Sequence, residues 1–498
     1  MKTAVRAPSR HHGLVLAVGL GMMLNPLNTS IISLAIARLQ ERFGLTFADV
    51  SWLVSTYYLV SAIAQPLMGN VADRCGYKRV FLGGLALVAV SSLLAPTSAT
   101  FPLLLVYRAL QALGTSALFP SGMGIVRREV TDRQARQMSR LSVIMSVSAA
   151  FGPSVGGFLI RAGDWPAIFT VNFPILIVAF ALAWKVIPED RRETAARAAT
   201  DGPGTARGGL LQRLSGSLRN RSGNGSKPDG TGFDIPGMAL FSLTIFLLLL
   251  FFLSLQTGGD WWMLGAAAAA GVWFCRHESR VTRPFVDVRF LRRHPPVCLV
   301  YGQFILVNVV SYSILFGVPS FLQQAWHLDP RRAGLVMLAN AGASMLASPL
   351  AGRWIDRNGP NPVIVTAAVV TLSGASLLMT IGEDSGVARM ACVLALIGAG
   401  GGFHNLGLQM SLYQWVPQTE TGVASGLFMT SRFLGTIFSS TLLAHFFGMN
   451  VSAEGLAGLG ALCVAIAAAL LASAVLFARF GKKSALPRAK TDSPGIDG

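Results

Sequence analysis

Two arginines in this chain stand where a charge is costly. Arg108 lies inside an apolar run of about 101–126, and Arg432 inside another of about 422–447. An arginine at bilayer depth costs roughly 2.5–3.5 kcal/mol on insertion scales, so it normally faces protein interior or a wet cavity. The natural partner would be a carboxylate, yet none of the 23 Asp and Glu falls within an apolar core. Asp73, Asp234, Asp260 and Asp356 lie at the ends of runs or in turns. Driving a solute with protons needs a group that is protonated in one state and ionised in the other, with access to both sides. The coupling candidates by chemistry are the helix-end carboxylate Asp73 and His404, whose reference pKa is near 6.5. For His404 alone the favoured reading is a hydrogen-bonded packing histidine.

Catalytic chemistry finds no support. The five cysteines, Cys75, Cys275, Cys298, Cys392 and Cys463, are scattered, with no CxxC pair and no metal-ligand spacing. There is no phosphate-binding Gly-x-x-x-x-Gly-Lys run and no nucleophile with an identifiable base. No enzyme activity, cofactor or metal is expected. The net charge of +18 could suggest nucleic acid, but the basic residues sit in short clusters between apolar runs, so no nucleic-acid partner is expected.

The elements that must position these side chains are membrane spans. Of 498 residues, 52% are hydrophobic and 13% charged, with mean hydropathy +0.54. A soluble domain carries roughly 25% charged residues. A spanning helix needs about 20 mostly apolar residues. Windows 14–37, 50–72, 141–160, 165–184, 235–259, 333–352 and 455–478 hold no Asp, Glu, Lys or Arg. Further spans fall at about 80–97, 101–126, 295–326, 360–382, 390–413 and 422–447. The weakest, 261–275, opens on Trp261 and Trp262, which suit a membrane interface. The total is fourteen. With the N-terminus cytoplasmic, 33 of the 41 Lys and Arg fall on the cytoplasmic side and six on the other. That bias supports the count and places both termini in the cytoplasm.

The expected class is therefore an all-α integral membrane protein in the plasma (inner) membrane: two six-helix bundles plus two extra central helices. A cytoplasmic tail (1–13) precedes the first bundle (14–187). A basic linker rich in Gly, Ser, Arg and Asp (188–233) reads as disordered. The extra helix pair (234–276) and a cytoplasmic loop (277–294) lead to the second bundle (295–479) and a C-terminal tail (480–498). Two loops repeat one another: Gly69-Asn-Val-Ala-Asp73-Arg74-Cys-Gly76-Tyr-Lys78-Arg79 and Gly352-Arg-Trp-Ile-Asp356-Arg357-Asn-Gly359. Each follows the second span of a six-span block, the mark of duplicated halves around a cavity.

The first of these loops resembles the signature of the major facilitator superfamily. The resemblance implies conformational gating by Gly69, Asp73, Arg74, Gly76, Lys78 and Arg79, echoed by Gly352, Asp356 and Arg357. Gly69 would allow two helix ends to approach. Asp73 would favour the positive N-terminus of a neighbouring helix or pair with an arginine in one conformation. Arg108-Ala-Leu-Gln111-Ala-Leu-Gly114 resembles a pattern of proton-linked members. Gly152-Pro153-Ser-Val-Gly156-Gly157 resembles the kinked helix of antiporters, though ordinary helix packing gives the same residues. Asp164-Trp165 through Asn172-Phe-Pro174, Phe233-Asp234-Ile-Pro-Gly237, and Glu278 with Arg283-Pro284-Phe-Val-Asp287 resemble the fourteen-helix drug:proton antiporter branch.

One departure matters. That branch often has an acidic residue in the first span, where this chain has Asn28. Asparagine does not titrate at physiological pH. The resemblance thus implies a secondary active transporter, an ion-driven multidrug efflux system for a small amphipathic molecule, with protons as the coupling ion and a monomer in the bilayer. The alternative is a pH-independent facilitator or exchanger of a neutral or anionic solute, or a lipid transporter. Polar candidates for the substrate cavity are Asn28, Asn172, Gln303, Asn308, Asn340, Asn405, Gln409 and Arg432.

Overall fold

The computed structural model describes residues 8–190, 233–255, 259–282, 284–382, 385–447 and 451–483. The expected disordered linker therefore lies almost wholly outside the described residues, as does the end of the C-terminal tail. Among the described residues the chain is helical, without strands.

The first half holds α1 (Pro8–Met22), α2 (Leu24–Phe43), α3 (Phe47–Cys75), α4 (Tyr77–Leu94), α5 (Phe101–Glu129), α6 (Gln134–Gly163), α7 (Ala167–Thr170) and α8 (Asn172–Val186). α1 and α2 form the first expected span, interrupted at Met23. Pro26 has no N–H to give to the Met22 carbonyl, so the ladder breaks there. The helix begins at Pro8, inside the stretch expected as a tail. α7 and α8 divide the sixth expected span in the same way, at Val171.

The two extra helices form a hairpin of α9 (Ile235–Ser254) and α10 (Trp261–Glu278). A short α11 (Val288–Arg293) leads into the second half: α12 (Pro295–Gln324), α13 (Pro330–Asn358), α14 (Pro360–Leu378), α15 (Val387–Trp415), α16 (Thr421–Phe447) and α17 (Ala453–Lys483). α17 runs past the expected boundary at 479.

Eleven helical segments are long and apolar enough to cross a membrane. α3, α6 and α10 lie outside that set. Large apolar side chains face outward, Phe158 at 73% and Ile177 at 68% exposed, which suits hydrocarbon rather than water. Trp261 and Trp262 are similarly exposed at the start of α10.

Within the second half, Phe304 of α12 stacks on Phe428 of α16 with centroids 3.6 Å apart. Gln303 of α12 donates to Ser473 of α17 at 2.7 Å. The halves meet along two helix pairs, α3 with α16 and α6 with α13. α9 rests on both α3 and α16. Phe252 packs on Phe438, and the Thr441 hydroxyl donates to the Phe252 carbonyl at 3.1 Å.

Candidate functional site

Both repeated loops adopt the same unusual backbone. Gly76 (φ +106°) and Gly359 (φ +79°) end α3 and α13 in the left-handed half of the map, where an L side chain is strained. The chain then turns straight into the next helix. That turn aims the preceding aspartate across to the opposite half. Asp73 accepts from the N–H of Gly422 at 2.8 Å and of Val423 at 2.9 Å, and the Tyr77 hydroxyl donates to it at 2.8 Å. It thereby caps the first turn of α16. Asp356 accepts from the N–H of Ala135 at 3.1 Å and of Arg136 at 3.2 Å, capping α6. The free N–H groups and partial positive charge of a helix start suit a carboxylate. Asp73 engages main chain and a tyrosine hydroxyl, so of its two expected modes the helix-end contact is the one seen.

The helices come close enough for these caps only because glycines face each other. A Cβ on Gly69 would collide with the Gly422 carbonyl, and one on Gly422 with the Gly69 carbonyl. A Cβ on Gly352 would crowd Ser139 and the Ala135 carbonyl at 2.9–3.0 Å.

Arg127, which sequence reasoning overlooked, adds a third tie. Its guanidinium donates to the carbonyls of Tyr413, Val416 and Pro417 and to Thr421 Oγ1, and lies 4.9 Å from the Tyr413 ring centroid. A cation from α5 thus neutralises the carbonyl end of α15 in the other half. Deeper in, the Thr430 hydroxyl donates to the Ala62 carbonyl at 2.6 Å. This end of the molecule, which carries the basic loops, is shut. A cavity of about 800 Å³ opens among these loops, lined by Asp73, Arg74, Arg79, Arg128, Asp190 and Phe285 among others. Lys78 turns aside to the Trp184 carbonyl at 3.1 Å, and Arg357 is exposed.

Midway along the helices lies a belt of arginine and tyrosine. Arg108 is 1% exposed. Its guanidinium lies 4.3 Å from the Tyr57 ring centroid and donates to the Asn28 carbonyl at 2.8 Å and to Gln111 Oε1. Arg432 donates to the Tyr312 hydroxyl at 2.9 and 2.8 Å. Tyr58 meets the Tyr57 ring edge-on at 6.5 Å and packs across the junction on Phe433 at 5.8 Å. Among the described residues neither arginine has a carboxylate partner. Aromatic faces and carbonyl oxygens disperse their charge instead. Arg108 Nε has no partner in the described structure.

Behind Arg108 lies an amide network. Asn28 and Asn172 pair reciprocally, Nδ2 to Oδ1, at 2.9 and 3.0 Å. Asn28 Nδ2 also donates to the Leu24 carbonyl at 2.8 Å, and Gln111 Nε2 donates to Asn28 Oδ1 at 3.2 Å. Ser92 accepts from Gln111 and Asn172 at 3.0 and 3.1 Å. The four expected residues Asn28, Arg108, Gln111 and Asn172 are brought together. Tyr57, Tyr312 and Ser92 complete the belt, and no motif in the sequence singled them out.

The remaining expectations are dispersed. His404 is buried inside the second bundle, facing Thr371, Gly401 and Ser311 across a small void, with Nε2 unpartnered among the described residues. Asn308 donates to the Phe304 carbonyl of its own helix at 2.7 Å. Asn340 lies where α13 presses on Gly398 of α15. Gln409 is buried and Asn405 exposed on α15. The backbone of α6 stays helical through Pro153, Gly156 and Gly157, and a Cβ on Gly152 would collide with Ser30 of α2.

Residues 18–440 and 299–494 match the family described as Major Facilitator Superfamily. The chain is 39% identical over 469 residues to the uncharacterized MFS-type transporter YwoD of Bacillus subtilis, covering 94% of this chain and 97% of that one. It is 26% identical over 441 residues to the tetracenomycin C resistance and export protein of Streptomyces glaucescens, covering 86% and 74%. The fold matches the crystal structure of the human organic anion transporter MFSD10 with a TM-score of 0.61 at 15% identity, covering 95% and 100%.

Proposed function

Starting from the fact that the chain belongs to the major facilitator superfamily, we propose that it exports a small amphipathic molecule by alternating access, driven by an ion gradient. It is a membrane transporter and not an enzyme. The observation that carries the mechanism is the reciprocal capping, Asp73 on α16 and Asp356 on α6. Each carboxylate belongs to one half and each capped helix to the other, so both caps form and break together as the halves rock. A side-chain cap is worth roughly 0.5–2 kcal/mol, and a two-state switch needs a gap of only a few kcal/mol. With the basic end in the cytoplasm, this structure is closed to the cytoplasm. Solute held at the arginine–tyrosine belt is then released to the far side. α3, α6 and α10 complete the fourteen spans.

Export as the direction is supported by relatives such as the tetracenomycin C export protein. The belt suits a neutral or anionic aromatic solute, because two guanidinium groups and four aromatic rings meet there without a carboxylate among the described residues. A second reading is favoured by Asn28: with an amide where its resemblances place a carboxylate, the protein works as a pH-independent facilitator or exchanger. Flux of a candidate solute in proteoliposomes, with and without an imposed pH gradient, separates the two. Uphill flux that needs the gradient supports the antiporter. Downhill flux blind to pH supports the facilitator, and efficient transport of permanent cations overturns the proposed substrate class.

A further inference from the structure

The root of the inserted helix pair holds a group that the transport cycle described above does not use. Asp234 precedes α9 and Glu278 closes α10, both beyond the charge-free stretches 235–259 and 261–275. Asp234 is 7% and Glu278 1% exposed. One oxygen of each is engaged. Asp234 Oδ1 lies 2.9 Å from His277 Nε2 and accepts from the Gly237 N–H at 3.0 Å. Glu278 Oε2 accepts from the Val286 N–H at 3.3 Å. Among the described residues the other two oxygens, Asp234 Oδ2 and Glu278 Oε1, are buried without a partner. They crowd one point: a Cβ on Gly237 would collide with both. Two carboxylates buried side by side do not both stay ionised, since burial and the like charge each favour the neutral acid.

We propose that Asp234 and Glu278 together form a site that binds one proton, whose occupancy fixes the loop 284–287 that joins the inserted pair to the second half. The proton resides on Glu278. Burial and the neighbouring Asp234 push Glu278 up to about 7. Burial acts on Asp234 too, but the hydrogen bonds from His277 and Gly237 hold it below the usual carboxylate range. Among the described residues His277 is the hydrogen-bonding neighbour on α10, which also carries Arg276 in its last turn. From α3, Arg74 lies over the Phe233 ring at 5.3 Å, and from α11 Arg289 donates to the Ser279 carbonyl. His277 is partly exposed and gives the proton a route to water. Ionisation strengthens Glu278 as an acceptor for the Val286 N–H, but with both carboxyls ionised their repulsion in the buried site opposes that single bond and drives Asp234 and Glu278 apart. The loop it holds also receives Asn70 of α3 on the Phe285 carbonyl at 3.5 Å, and Asp287 caps α11 through the Phe290 N–H at 2.9 Å.

The test uses the purified full chain in lipid nanodiscs. Infrared difference spectra follow the carboxylic acid band as pH rises from mildly acidic to mildly alkaline. Hydrogen exchange, corrected for its intrinsic pH dependence, follows the segment 284–294. The wild type should lose a protonated-carboxyl component near neutral pH, and the segment should lose protection over the same range. Glu278→Gln should abolish that component and keep the segment protected throughout. Asp234→Asn removes the like charge, so Glu278 should release its proton at least tenfold more readily. An infrared component untouched by either substitution overturns the site. So does segment protection that follows sodium concentration instead of pH, which would make the occupant a metal cation. If Glu278→Gln fails to fold, the shift in Asp234→Asn still reads the proposal.

Discussion

The side-chain amide of Asn28 has all four of its hydrogen bonds made, two given and two received. An aspartate there would lose both donated bonds and set a carboxylate oxygen against Asn172 Oδ1, while placing a negative charge beside Arg108. Asn28→Asp should therefore lower stability by about 1–3 kcal/mol, the usual cost of orphaned buried polar groups, read as a lower melting temperature. If position 28 is the coupling point, the same variant should make flux respond to an imposed pH gradient. Flux that stays unchanged would remove Asn28 from the coupling path. Arg108→Lys keeps the charge but loses the planar fork that reaches the Asn28 carbonyl and Gln111 together. Solute flux should fall at least tenfold with the melting temperature within a few degrees of wild type. Arg108, Gln111 and Asn28 were legible in the sequence because charge is rare at bilayer depth and amides in apolar runs need partners. Tyr57 and Tyr312 were not, because a tyrosine in an apolar window looks like packing until the cation beneath its ring is placed. The reverse failure is His404, whose chemistry suggested coupling but whose fold position is the interior of one bundle.

α3 and α16 are the elements on which closure turns. They run antiparallel, touching from Asp73 against Gly422 through Ala62 against Thr430 to Tyr58 against Phe433. Gly422→Val should drive a branched side chain into the Gly69 carbonyl and hold the halves apart at the basic end. Asp73→Asn keeps the size of the side chain and removes its charge. That should shift the equilibrium toward the open form by about 1 kcal/mol, a typical cap contribution. Electron–electron distance measurements between spin labels at Asp132 and Gln418, both exposed, read these shifts directly. Distances unchanged in both variants would mean the caps are incidental to closure. The element boundaries were largely readable because hydrophobic runs and their charged ends mark spans. The breaks at Met23 and Val171 were not, since a helix interrupted within the bilayer keeps an unbroken apolar sequence.

At the scale of the molecule the two halves treat each other alike. Among the described residues Asp73 and Asp356 hydrogen-bond to different partners, so their effects on closure should add. The double variant Asp73→Asn/Asp356→Asn should open the basic end by about 2 kcal/mol, twice the typical single-cap effect, in the same distance measurement. A double variant no more open than either single one would mean one cap alone governs closure. The repeated Gly-x-x-x-Asp-Arg-x-Gly pattern announced this symmetry, although the capped partners at 422–423 and 135–136 carry no motif. They are main-chain N–H groups, which every residue but proline offers, so only the fold can name them. The inserted pair breaks the symmetry. α9 lies across the line between α3 and α16, while the line between α6 and α13 has no such cover among the described residues. For a greasy solute arriving from within the membrane, the molecule then has a door on one flank and a wall on the other. A photoreactive fatty probe dissolved in the bilayer should mark peptides of α6 and α13 and spare those of α3 and α16.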